Sequence, residues 1–249
     1  MCLNIVFNII WHSTWNYETI IIRTIKFKKM KKLFFIAAAM LGVVSLSAQE
    51  KTTSAQFGIK SSVNMSSFNG KDVKDNDYKV GFSAGLYGHF PLTERFAVQP
   101  EVNFARIGGK LKDEVTEVGN TTVKTKNKTT LDYIQVPVMF KYYPGASRFN
   151  VEAGPQFGFN MYASNKQQTS IYANNTVYTT EGKQDIKDDI KNFDFGVNFG
   201  LGYNVTDNIN VGARYYMGLT KITENVNNGT ATGADVKNHS FSLGVGYSF

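Results

Sequence analysis

Cysteine is almost absent: Cys2 is the only one in 249 residues. Even that one is expected to be lost, because Met30, Lys31 and Lys32, the apolar run Leu33 to Leu46 and the small residues Ser45, Ser47 and Ala48 read as a secretory signal. Cleavage is expected before Gln49, or one residue earlier, after Ser47. The exported chain then has no thiol, which excludes disulfides, a cysteine nucleophile and a thiolate metal site, and avoids mispairing in an oxidising compartment. Histidine is nearly as scarce. Only His89 and His239 survive processing, and neither stands at a metal-ligand spacing or beside an obvious nucleophile.

Net charge is the next shortage. The 27 basic and 20 acidic residues suggest a basic protein of +7, but residues 1–48 hold six of those cations and a single acid, Glu18, which leaves 21 against 19 and a net +2. A nearly neutral chain lacks the basic surface that phosphate neutralisation requires, so no nucleic-acid partner is expected. Residues 1–29 precede the signal and contain Trp11, Trp15, Ile20 to Ile22 and Arg23, Lys26, Lys28 and Lys29. Since a signal peptide normally starts at its own methionine, this stretch reads as a non-native upstream extension; its apolar segments are too short to span a bilayer. The division is therefore 1–29 extension, 30–48 signal peptide and 49–249 a single β domain.

What the domain has in abundance is alternation. Eight runs place apolar residues on every second position: about 54–66, 78–90, 95–106, 130–143, 148–162, 191–205, 208–221 and the terminal run to Phe249. In the sixth, Phe193, Phe195, Val197, Phe199, Leu201 and Tyr203 alternate with Asp194, Gly196, Asn198, Gly200, Gly202 and Asn204. No helix has that period. A soluble sandwich or lipocalin-like barrel would share it, so polarity must decide. The polar faces here are Gly, Ser, Asn and Gln, poor solubilisers of an outer surface and good fillers of a lumen. The expected fold is all-β, an eight-stranded antiparallel up-and-down transmembrane β-barrel.

Connection lengths agree. Short links near Pro91 to Glu94, Pro144 to Ser147 and Thr206 to Asp207 alternate with long polar ones at about 67–77, 107–129, 163–190 and 222–237. Outer-membrane barrels have short periplasmic turns and long outer loops, which predicts the cell outer membrane as location with both termini periplasmic. Phe90, Phe96, Tyr142, Phe149, Tyr203 and Tyr247 fall where an interfacial aromatic girdle would lie on the periplasmic rim.

Six charges are expected inside: Lys60, Glu101, Lys141, Glu152, Asp194 and Arg214. Charge in a narrow barrel must be paired, so these predict a structural cross-lumen network that plugs the interior. Tyr247 and Phe249 end the chain on an aromatic strand, read as the C-terminal signal through which a barrel-assembly machinery engages it. No catalytic constellation stands out. His239 with Asp235 and Ser240 is the one arrangement for membrane-embedded hydrolysis, and Asp185, Asp188 and Asp189 form an acidic run that a hard cation would favour, although interleaved Lys183, Lys187 and Lys191 favour a solvated surface. No cofactor or metal is expected.

The stretch Leu131-Asp-Tyr-Ile-Gln-Val-Pro-Val-Met-Phe-Lys-Tyr-Tyr143, followed by Val151-Glu-Ala-Gly-Pro-Gln-Phe-Gly158, resembles the PorT-like or porin-family outer-membrane β-barrel domain of Gram-negative bacteria. Pro137 fits its pattern, while Gln135 stands where an acid is common. The resemblance implies an outer-membrane location and, for the PorT branch, a link to protein secretion; it brings no catalytic residues. Three functions follow as expectations. The leading one is a structural or surface-interaction protein whose loops, Val118 to Thr130 and Asn165 to Thr180, meet an extracellular ligand or envelope protein. The others are a narrow channel for small solutes and a membrane-embedded enzyme.

Overall fold

The computed structural model describes residues 55–71, 73, 76–119, 121–173, 176–224 and 234–249. The expected extension and signal lie outside the described residues. Ten antiparallel strands follow one another: β1 (Gln56–Asn69), β2 (Asn76–Pro91), β3 (Phe96–Leu111), β4 (Glu114–Val118), β5 (Thr121–Tyr142), β6 (Phe149–Ala173), β7 (Thr176–Asp185), β8 (Phe193–Asn204), β9 (Ile209–Gly218) and β10 (Lys237–Ser248). Eight form a ring in the order β1-β2-β3-β5-β6-β8-β9-β10. It closes where β1 pairs with β10, from Gly58 opposite Ser248 to Asn69 opposite Lys237. Closure gives every ring strand two neighbours, the condition for a sheet to sit in lipid without an unpaired edge.

The exterior is apolar and the interior polar. Val63, Val80 and Leu86 are 58%, 64% and 62% exposed, whereas Asn64, Glu101, Asn150 and Asn198 are at most 4% exposed. A soluble barrel has the reverse arrangement, so the alternation belongs to a membrane-spanning barrel. Aromatic pairs gather at the end that carries the termini: Phe96 with Tyr142 at 5.0 Å, Phe57 with Phe90 at 5.9 Å and Tyr247 with Phe249 at 5.8 Å between centroids. The short turns lie at the same end. Thr93 Oγ1 accepts from the Phe96 amide at 3.1 Å, and Thr206 Oγ1 accepts from the Ile209 amide at 2.9 Å, side-chain caps that let two hairpins reverse within a few residues.

Two of the long connections are folded rather than looped, which corrects the expectation for 107–129 and 163–190. β5 and β6 run to 22 and 25 residues, when about 9–11 suffice to cross a bilayer. They stay paired from Tyr142 opposite Val151 to Thr121 opposite Ala173. Above the ring β4 joins the free edge of β5 and β7 that of β6, so β4-β5-β6-β7 is a four-stranded sheet continuing the barrel wall. The register shifts once, at Asp132/Tyr133, where Asp132 faces Tyr162 and Tyr133 faces Asn160. Met161 is the extra residue, a bulge at the junction between ring and projection, where bulges serve to bend a strand.

Inside the ring, glycine is required where large side chains turn inward. A Cβ on Gly58 would overlap the Tyr247 carbonyl oxygen of β10 and come within 2.5 Å of the Tyr87 ring, and the Tyr87 hydroxyl is itself bonded to Ser248 Oγ at 2.8 Å across the closing seam. Gly58→Val is therefore expected to cost roughly 1–3 kcal/mol by overpacking, measured as a lower urea midpoint for the barrel refolded in lipid vesicles. An unchanged midpoint would mean that both Tyr87 and the β10 backbone at Tyr247 can shift without loss, so that neither fixes the seam.

Candidate functional site in the lumen and the projecting sheet

Five of the six expected lumen charges meet. Arg214 on β9 reaches across the barrel, donating from Nη1 and Nη2 to Glu101 on β3 at 3.0 Å each and from Nε to Glu152 Oε1 on β6 at 2.8 Å. Lys60 on β1 adds a contact of 3.4 Å to Glu101, and Lys141 on β5 one of 3.5 Å to Glu152. The chain Lys60–Glu101–Arg214–Glu152–Lys141 thus alternates in sign and ties five strands together. Gln99 and Asn103, the inward neighbours on β3, donate to Glu101 at 2.8 and 3.1 Å, so its oxygens are fully engaged. Gly200 makes room: a Cβ there would lie 2.8 Å from Glu152 Oε1.

Asp194 does not join them. It sits in a separate layer toward the long-loop end, accepting from Tyr216 at 3.1 Å, Thr220 at 2.8 Å and Asn238 at 2.8 Å. Three neutral donors replace the cation that sequence reasoning had supplied. Tyr216, Thr220 and Asn238 are ordinary polar residues in their own strands and loops, so no local pattern marked them as partners.

Above Asp194 the lumen changes character. Ala105, Ile107, Leu131, Tyr133, Ala163, Ile190 and Ile222 form a buried apolar cluster against which Phe68, Ile186 and Val236 pack. Ile190 and Ile222 come from connections read as solvated loops. The bridge between Ile190 and Thr223 and the bond from the Lys191 amide to the Ile222 carbonyl at 2.7 Å fold them over the mouth. Isolated isoleucines in otherwise polar connections were the available signal. The remaining voids along the lumen are small; the one lined by Lys60, Glu101, Gln156 and Arg214 holds about 30 Å³, room for roughly one or two waters.

The other candidates separate. Ser240 is 8% exposed and faces the lumen, while the adjacent His239 lies on the outer face, edge-on to Tyr78 at 5.6 Å, so the arrangement with Asp235 does not assemble a nucleophile and base. His89 lies inside near the termini, edge-on to Tyr143 at 6.2 Å. Asp185 Oδ1 accepts from the Lys187 amide at 2.8 Å as a local cap, and among the described residues no group of three or more His, Cys, Asp or Glu is placed to hold a metal.

The projecting sheet has two unlike faces. Register puts Thr116, Val123, Ile171 and Tyr178 in one row across its four strands, and Thr125, Thr169 and Thr180 in the next. The opposite face carries Lys124, Lys126, Lys166 and Glu181, with ion pairs of 2.8 Å from Lys124 to Asp113 and 2.6 Å from Lys166 to Glu181. The Lys124 ammonium, donating to Asp113, holds that carboxyl below the usual aspartate range. β7 is exposed at every one of its 10 positions and pairs on one side only.

Removing one partner from a buried ion pair leaves an uncompensated charge, typically at 3–5 kcal/mol. Arg214→Ala, which strands both Glu101 and Glu152, is expected to lower the stability of the refolded barrel by about that much, read from urea titration in vesicles, with Lys60→Ala costing less because its contact is longer and partly open to solvent. Equal midpoints for Arg214→Ala and the unaltered barrel would show that water replaces the guanidinium without penalty.

Comparison with known proteins adds a family. A family model described as "Outer membrane protein beta-barrel domain" matches residues 47–224, more than half of the chain. No curated protein matches the chain. Among solved structures it is similar to Neisserial surface protein A, NspA, at 15% identity over 79% of this chain and 100% of that one, with a TM-score of 0.40. The attachment invasion locus protein Ail of Yersinia pestis aligns at 14% identity over 79% and 100%, TM-score 0.39. The outer membrane protease OmpT of Escherichia coli aligns at 13% over 80% and 99%, TM-score 0.34.

Proposed function

We propose that this chain, which belongs to the outer membrane protein β-barrel domain family and resides in the outer membrane, is a non-catalytic surface-interaction protein: a plugged barrel that anchors a recognition sheet. The observation that carries this reading is the β4-β5-β6-β7 projection, a continuous folded surface with β7 exposed at all 10 positions. A sheet with no layer packed over it and a free edge among the described residues offers both a face and a row of backbone groups to a partner. The lumen supports the same reading from the other side, because the charge network and the apolar cluster fill the space that a solute would need.

The reading includes an orientation and a maturation. The termini and short turns face the periplasm, and the projection faces outward. Met30 is the start, residues 30–48 are removed as a signal, and 49–249 is the barrel. Lys60, Glu101, Lys141, Glu152 and Arg214 act structurally, with Asp194 bracing its own layer. Tyr247 and Phe249 form the strand end that the barrel-assembly machinery reads; the Phe249 amide closes the seam by donating to the Phe57 carbonyl at 2.8 Å. The Tyr133 to Pro137 motif supports a narrower PorT-like kinship with its link to secretion.

The test separates anchor from recognition surface. Joining Leu111 to Lys128 and Asn165 to Gln184 through short glycine turns removes most of the projection while leaving the ring. The trimmed chain is expected to keep the heat-dependent gel shift of a folded barrel, and cells displaying it to lose adhesion to immobilised glycans and matrix proteins that the full chain supports. Adhesion unaffected by trimming, together with steady ion conductance of the full chain in a planar bilayer, would overturn the proposal in favour of a channel.

A further inference from the structure

The charges inside the ring do not cancel. The chain Lys60–Glu101–Arg214–Glu152–Lys141 joins three cations to two carboxylates, a net +1. Two more buried charges face the lumen outside that chain. Asp194 accepts from three neutral donors in its own layer, and Lys79, between the outward Tyr78 and Val80, donates to the Ile107 carbonyl at 2.9 Å. Counting both leaves four cations against three carboxylates, again +1. The other buried carboxylate, Asp132, is on the outward face of β5 and is held by Arg106 at 2.7 Å. An excess charge in a space largely closed to water is costly unless a counter-charge meets it.

The excess lies at the Lys60 end of the chain. Glu152 takes Arg214 Nε at 2.8 Å and Lys141 at 3.5 Å. Glu101 accepts twice from Arg214, and also from Gln99 and Asn103, which leaves Lys60 a single long contact of 3.4 Å. An ammonium has three donors, so two N–H groups of Lys60 are available to another acceptor. Lys60 borders the cavity of about 30 Å³, together with the hydroxyls of Ser62, Ser83 and Ser242 and the amides of Asn64 and Gln156. Hydroxyls rotate to suit a partner and carboxamides carry two donors each. Glu101 and Arg214 line it too, but the Glu101 oxygens are already engaged. The Lys60 side chain is 20% exposed, which gives a small ion a way in.

We propose that this cavity is a binding site for one small monovalent anion of halide size, held by Lys60 with the surrounding hydroxyl and amide donors. Volume sets the size: space for roughly one or two waters admits a chloride and shuts out an organic anion. Charge sets the valence, since a single negative charge neutralises the chain and a dianion overshoots it. The ion completes the plug from within, so the assignment does not depend on the surface-interaction role of the projecting sheet.

The test is stability against chloride. The mature chain is refolded in zwitterionic phospholipid vesicles and unfolded with urea at fixed ionic strength, chloride being exchanged stepwise for gluconate, which is too large for the cavity. One stabilising ion raises the folded-to-unfolded ratio by about tenfold for each tenfold rise in chloride above its dissociation constant, and bromide is expected to substitute. General salt effects run the other way, because strongly hydrated anions stabilise by exclusion from the surface. Lys60→Met removes the excess charge while leaving Arg214 with both glutamates, and is expected to flatten the dependence; Lys166→Met, on the projecting sheet, is expected to keep it. Crystals grown in bromide should show an anomalous peak beside the Lys60 ammonium. Equal stability in chloride and gluconate, a full slope in Lys60→Met, or bromide found only on the protein surface would each overturn the assignment and leave water as the solvent of that ammonium.

Discussion

Arg214 must be kept charged and satisfied inside a space from which most water is expelled, and the interior of the barrel is built around that demand. A lone buried guanidinium is prohibitively costly. Glu101 and Glu152 compensate it, and each of these carboxylates takes a second cation, Lys60 on Glu101 and Lys141 on Glu152, so that every charge in the chain has an opposite neighbour and the set carries a net +1. Glu101 in turn needs Gln99 and Asn103 to occupy its remaining lone pairs. Each addition follows from the previous one, and the result reaches β1, β3, β5, β6 and β9. The plug and the cross-bracing of the ring are consequently the same set of atoms.

Such a filling has a consequence for the glycines. Side chains as large as Glu152 and Tyr87 fit a ring this narrow only where the neighbouring strand is bare, and Gly200 and Gly58 supply those places. The polar faces of the strands are glycine-rich because the lumen alternates large groups with none. The same logic separates the layers: Asp194 lies too far toward the long-loop end to share a cation, so it is served by hydroxyl and amide donors, and beyond it a buried apolar cluster takes over.

The ring was legible in the sequence because lipid outside and a packed lumen inside impose period-two alternation on every spanning segment, as in Phe193 to Asn204. Lumen charges were legible for a related reason: a charged residue on the polar face of a lipid-facing strand has only one place to go, and five of the six arrived together. What was not legible lies where that constraint ends. Past Met161 the bulge inverts the faces of β6, and beyond the buried Ala163 and Ser164 the residues Lys166 to Thr169 lie clear of the apolar cluster, so nothing forces an alternation of polarity although the backbone stays paired to Ala173. The partners of Asp194 were hidden because they converge from β9, β10 and the segment after β9 through the closed ring, a proximity that closure creates and local spacing does not record.

The division between ring and projection also decides where function can reside. A spanning strand has both faces committed, one to lipid and the other to the plug, and any substitution there acts first on stability. β5 and β6 continue for about ten residues each beyond that commitment, and the chain adds β4 and β7 to broaden the continuation. Backbone pairing keeps the added surface ordered without requiring a core beneath it, so its side chains are free to vary for contact alone. Its two faces differ in kind: one carries the row Thr116, Val123, Ile171 and Tyr178, the other Lys124, Lys126, Lys166 and Glu181. A single extended hairpin thereby carries two chemically distinct surfaces, one dominated by threonine and apolar side chains and the other by paired charges.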